Sequence, residues 1–124
     1  MSTRTERLAQ IRDTIAEHVP EGVPVTSDAR DLDKRRQAEG VVFVHPAPRL
    51  EFPVPQVTRC TWTVWVLGKA GDALDAMGAI DPILDALIAS PLPLDAAEPG
   101  AREGTDGAPD LPGYSLTITE DFYN

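Results

Sequence analysis

The side chains that could do chemistry in this chain are few and far apart. Two histidines and one cysteine are its only imidazole and thiol groups in 124 residues, and no two of them stand at metal-ligand spacing. His18 falls in the last turn of an amphipathic segment, where an imidazole meets the carboxyl end of a helix dipole. His45 closes an apolar run and reads as structural. Cys60 alternates with Trp62, Val64 and Val66, so a buried, inert thiol is expected there rather than a nucleophile. Asp72, Asp75 and Asp85 lie off the apolar stripe of a helix and read as a solvated face, not a cation site. No glycine-rich phosphate loop, nucleophile elbow or Ser, His, Asp ordering tied to strand ends is found. The expectation is a protein that is not an enzyme, with no catalytic, metal-binding or cofactor-binding residue.

Charge narrows the partners. Eleven basic against 20 acidic side chains give a net charge of −9, which argues against a protein that grips nucleic acid through its phosphates. Basic residues are not interleaved with aromatics, as single-strand binding requires. An acidic surface fits solubility, and it equally fits a wall past which DNA slides without sticking. "MSTRTERLAQIRD" contains no apolar signal core, and the apolar runs are too short to span a bilayer. A single cysteine fits a reducing compartment, so the cytoplasm, or something assembled there, is the expected location.

What remains is chemistry of adhesion. In "RCTWTVWVLG", residues 59–68, period-two alternation puts Cys60, Trp62, Val64 and Val66 on one strand face. Arg59, Thr61, Thr63, Trp65 and Leu67 take the other. That second face is polar, yet it carries an indole and a leucine, so Trp65 needs a partner. Arg59, Trp65 and Leu67 are therefore candidate interface residues, together with the basic cluster Lys34, Arg35 and Arg36 and the terminal aromatics Phe122 and Tyr123. The competing reading is that loops of the same chain fold back and cover Trp65.

These residues need a scaffold, and the pattern supplies one domain over 1–124. Thr3 and Glu6 form a capping box for an amphipathic helix over about residues 4–18, ended by Pro20 and Gly22. "VPVTS" (23–27) reads as a short edge strand. Residues 28–40 are charged almost throughout and read as a solvated loop. "VVFVHP" (41–46) reads as a buried strand, and "RLEFPVPQ" as an edge ribbon or bulged turn entering the tryptophan strand. Leu74, Met77, Ile80 or Asp81, Leu84 and Leu87 or Ile88 track a helix, in which Pro82 implies a kink or a restart capped by Asp81. Residues 91–113 are rich in proline and glycine, giving a short strand at about 92–96 and a flexible loop over about 96–112. "YSLTITED" closes the domain as an alternating strand, with Phe122 and Tyr123 beyond it. The expected fold is α+β, a mostly antiparallel sheet of about four to five strands with two helices packed on one face, leaving the Trp65 face open.

This order of an N-terminal helix, short strand, charged loop, "VVFVHPA" strand, "TWTVWVLG" strand, "DALDAMGAIDPILDALIAS" helix and "GYSLTITED" strand resembles the small tail terminator proteins of long-tailed, siphovirus-like phages, especially those of actinobacterial hosts. The resemblance covers nearly the whole chain and is one of pattern and order, because that family carries no catalytic signature. It implies a virion subunit at the tail–neck junction, assembled in the host cytoplasm. Six copies would form a ring that caps the tail tube and stops its polymerisation. The ring would join the major tail tube protein to the stopper or head-completion protein, with DNA passing through the lumen unbound. Two other readings share the acidic, catalytically bare character: another neck protein, such as a stopper or head-completion subunit, and a small cytosolic protein-binding module.

Overall fold

The computed structural model describes residues 3–35, 38–103 and 108–123. Its elements in chain order are α1 (Thr3–His18), β1 (Val25–Thr26), α2 (Ala29–Lys34), β2 (Gly40–Val44), β3 (Arg49–Glu51), β4 (Val57–Gly68), α3 (Ala73–Ala89), β5 (Leu94–Arg102) and β6 (Leu111–Tyr123). The strands form one sheet in the order β1-β2-β4-β6-β5, with β3 pairing the same edge of β4 that β2 leaves free. Only β1–β2 is parallel, so the sheet is mixed and has six strands among the described residues. The fold is α+β, as the alternating patterns predict.

The helix-facing side holds the main core. Cys60, Trp62, Val64 and Val66 of β4 meet Val42 and Val44 of β2, and Leu116 and Ile118 of β6. Ile11 and Ile15 of α1, and Ile80, Ile83 and Leu87 of α3, close over them with no exposed surface or nearly none. Each such side chain contributes roughly 1.5–3 kcal/mol by leaving water. α1 is anchored to β6 by Arg7, whose Nε donates to both oxygens of Glu120 at 2.8 and 3.1 Å. The capping box depends on the Thr3 side chain, which lies outside the described residues.

α3 reaches the sheet at a pair of glycines. Gly40 and Gly68 are directly opposite each other in β2 and β4. A Cβ on Gly68 would stand 2.7 Å from the Ala76 methyl, and one on Gly40 2.7 Å from Ile83 Cδ1. Larger residues here would lift the helix off the sheet. α3 runs unbroken through Pro82 and is capped by Asp72, whose carboxylate accepts from the Leu74 amide at 2.8 Å. A restart at Asp81 does not occur. The bond lost at Pro82 is the one to Gly78, and packing of the apolar stripe on both sides of it holds the helix together.

Three other expectations are corrected. The loop at 28–40 contains α2, because Asp28 caps it by accepting from the Arg30 amide at 2.9 Å and Leu32 is buried. The loop at 96–112 is largely strand: β5 continues to Arg102, paired with β6 after an irregularity between Leu94 and Ala96. Its Pro99 is tolerated because β5 is an edge. Finally, β6 does not stop before the terminal aromatics. It runs to Tyr123, with Phe122 opposite Thr58 and Tyr123 opposite Val57.

Candidate functional site

The second face of the sheet was expected to be open, and the chain covers part of it. Register places Val41 and Phe43 of β2 opposite Leu67 and Trp65 of β4. These join Leu32 from α2 and Leu111 from β6 in a second, smaller core, against which Trp65 packs half-buried. The capping and the single buried leucine of α2 are what bring it over this face. Arg102, the last residue of β5, closes the cluster with its guanidinium carbon 4.5 Å from the Phe43 ring centroid. The folded-back reading of the Trp65 environment is thus partly met within the chain.

Leu67 has no exposed surface, which removes it as an interface residue. The sequence placed it correctly on the second face, but α2 was invisible as a cover. Phe122 faces the helices and packs, partly buried, against the main core. Arg59 is on the second face, but it is held by Asp121, its cross-strand neighbour, through Nε–Oδ1 and Nη2–Oδ2 contacts of 2.8 and 3.2 Å. The guanidinium beside Asp121 holds that carboxyl below its usual range, and the same hydrogen bond raises Arg59. At the end of α2, Lys34 is exposed, and Arg35, the residue that follows the helix, donates to Asp31 at 3.1 Å. Arg36 lies outside the described residues. Tyr123 is 84% exposed.

The proposed interface residues therefore do not converge on one patch. Arg59 and Tyr123 share the end of the sheet where β6 finishes, while Trp65 and α2 lie six residues further along β4, roughly 20 Å away at strand rise. Between them runs a polar ladder in which Thr61 opposes Thr119 and Thr63 opposes Thr117.

The residues singled out for chemistry sit in ordinary structural roles. His18 Nδ1–H donates to the Thr14 carbonyl at 2.8 Å, which holds the imidazole against the last turn of α1. His45 Nδ1 lies 3.2 Å from the Ala47 amide, which donates to it in the turn after β2. Cys60 is fully buried, and burial raises its thiol above its ordinary pKa. Among the described residues, no three His, Cys, Asp or Glu side chains gather as a metal set would.

What the sequence reading missed is apolar and exposed, on one hairpin and one helix. Leu50, Phe52 and Val54 stand exposed on the β3–β4 hairpin, and Leu74 and Ile88 on α3. The signal was present in "LEFPVPQ": alternating apolar residues between prolines that cannot pair into a sheet interior. No protein-family model matches this chain, and no curated protein matches it significantly.

Proposed function

We propose that this protein is a phage tail terminator, a structural subunit that works as a ring at the head-proximal end of the tail tube. The observation that carries the reading is the placement of large apolar side chains in solvent on the β3–β4 hairpin and on α3 of a chain whose net charge is −9. An isolated soluble domain gains nothing from such exposure, whereas a subunit flanked by neighbours buries it on assembly. The order α1, β1, β2, β4, α3, β6 is the one on which the sequence resemblance is based, with α2, β3 and β5 added to it.

On this reading the mechanism is steric and adhesive. One face of the ring copies the end of the tube and binds it; the other offers no tube-like surface, so further tube subunits find nothing to join. The second face then receives the stopper or head-completion protein. Excess carboxylate keeps DNA phosphates from adhering as the genome passes.

The test is electron microscopy of purified tube protein polymerised with and without this chain. Tubes should become shorter and carry a ring at one end. Tubes of unchanged length with bare ends would refute the proposal.

A further inference from the structure

Charge divides this chain unevenly. Residues 70–124 carry eleven acidic side chains against one basic, Arg102, whereas residues 1–69 carry nine against ten. That single cation is turned away, over the Phe43 ring in the second core. α3 itself contains no basic residue. Asp81, Asp85 and Asp95 are all exposed, and none is paired with a cation among the described residues.

Among these carboxylates lies an apolar groove of about 330 Å³, whose lining includes Ile88, Leu92, Leu94, Ala97 and Leu116, with Asp95 in its wall. Hydrogen bonds set its shape. The Ser90 hydroxyl, just past the end of α3, donates to the Leu87 carbonyl at 2.6 Å and accepts from the Leu92 amide at 3.4 Å. The Leu94 amide then donates to the Leu92 carbonyl at 2.9 Å. Pairing with β6 puts Leu94 opposite Ile118 and Ala97 opposite Leu116, on the side of the sheet that faces the helices, while Asp95 falls in the irregularity of β5 and outside that register. On α3, Asp81, Asp85 and Ile88 follow one another at spacings of four and three residues, so they share one flank. Ile88 is 68% exposed.

We infer that this groove docks a basic segment of another protein. An apolar side chain of the partner seats between Ile88 and Leu94, and flanking lysines or arginines meet Asp85 and Asp95. The groove alone would accept any apolar side chain; the charge around it selects the carrier. Phosphate-bearing or acidic partners are repelled, which excludes nucleic acid and anionic lipid. A second copy of this chain would bring the same surplus of carboxylate. A basic partner gains a charge-guided approach and an anchor removed from water, and because the groove is preformed, little ordering opposes the contact. This chemistry is the same whether or not the protein caps a tail tube, so it goes beyond the terminator reading.

The experiment titrates isotope-labelled protein, followed by methyl and amide NMR, with three synthetic peptides of equal length: leucine–lysine, serine–lysine and leucine–glutamate. The leucine–lysine peptide should bind saturably, one to one, shifting the signals of Ile88, Leu92, Leu94 and Ala97, and its affinity should fall as salt rises. The other two should each bind at least tenfold more weakly, one lacking the anchor and the other the charge. Asp85→Lys combined with Asp95→Lys should weaken leucine–lysine binding at least tenfold, and so should Ile88→Ser. Glu21→Lys combined with Glu51→Lys makes the same charge change before β1 and in β3, away from the β5 edge of the sheet, and should alter affinity less than threefold. All five positions are exposed, and circular dichroism melts establish that each variant is folded.

No saturable binding of the leucine–lysine peptide up to about 1 mM, where even a millimolar contact is half formed, overturns the inference. So does equal binding of the serine–lysine peptide, or an equal loss from the Glu21→Lys and Glu51→Lys pair, because charge alone is then at work. Equal binding of the leucine–glutamate peptide overturns it from the other side, since charge then selects nothing. Groove signals that shift when the protein alone is concentrated place a second copy there instead of a basic partner, and overturn it too.

Discussion

The Arg102 guanidinium lies 4.5 Å from the centre of the Phe43 ring, although β4 and β6 separate their strands in the sheet. One cation over one aromatic face thus ties the outer edge strand to β2 and roofs the second core. Arg102→Ala removes both the cation–π attraction, about 0.5–1 kcal/mol at a partly exposed site, and the aliphatic stem that shields the ring. The expected result is a loss of about 1 kcal/mol in urea unfolding. Arg102→Lys should recover part of it, because an ammonium keeps the charge but not the flat stacking surface.

Trp65 packs half-buried against the same cluster, so its removal should be felt in the isolated chain. Fully buried Trp→Ala changes cost about 3–5 kcal/mol, and half the burial scales this to about 1.5–2.5. Equilibrium unfolding of Trp65→Ala should show that loss with an unchanged denaturant slope. A variant as stable as wild type would mean that α2 does not cover the indole in solution.

How far the sequence revealed this arrangement depended on the period of its signal. The tryptophan strand alternates over its first ten residues, so both of its faces were assigned correctly and Trp62 was placed in the core. α1 and α3 were found because their apolar stripes repeat for several turns. α2 has six residues and one buried side chain, too short to repeat, and its charged surface read as loop. β5 has its residues mostly in solvent, so no alternation of hydrophobicity marked it; backbone pairing with β6 makes it a strand. Leu67 was assigned to an interface because its face was known and its cover was not. Arg59 was chosen for the strand face it shares with Trp65, while its Asp121 partner is 62 residues away in sequence.

Gln56 takes φ 69° at the third position of the Val54–Val57 turn, directly after Pro55. A type II turn asks for glycine or asparagine at that position, since a Cβ is crowded in the left-handed region. Gln56→Gly should relieve this and raise stability by up to about 1 kcal/mol, the gain being reduced by the greater freedom of glycine in the unfolded chain. Thermal unfolding of the variant checks it, and a lowered midpoint would show that the glutamine side chain holds the hairpin tip by other means.

Gly68 seats α3, with the Ala76 methyl 2.7 Å and Ile80 Cδ1 3.1 Å from the position a Cβ would take. Gly68→Ala should therefore cost about 1–3 kcal/mol through overpacking. Ala76→Gly opens that space at a helix-propensity cost of about 1 kcal/mol. Combined, the two substitutions should destabilise by less than their sum, with a coupling of at least about 0.5 kcal/mol in a double-mutant cycle. Strict additivity would mean that the helix does not rest on this glycine.

The Arg59–Asp121 pair sets a pH dependence whose sign follows from its geometry. Hydrogen bonding from Arg59 favours the charged carboxylate and lowers the Asp121 pKa in the folded state. Between the folded and unfolded pKa values, the unfolded chain then binds the extra proton, so stability rises with pH there. The contribution is present above the ordinary carboxylate range and is lost as pH falls through the lowered value. Carboxyl-detected NMR titration should place the Asp121 midpoint below the usual range, and Arg59→Met should return it towards that range. The acid limb of the stability curve should flatten in the variant, and added salt should shrink the difference because both groups are largely solvated. An Asp121 midpoint unmoved by Arg59→Met would show that the pair does not persist in solution, and would return Arg59 to the set of cations free to meet a partner.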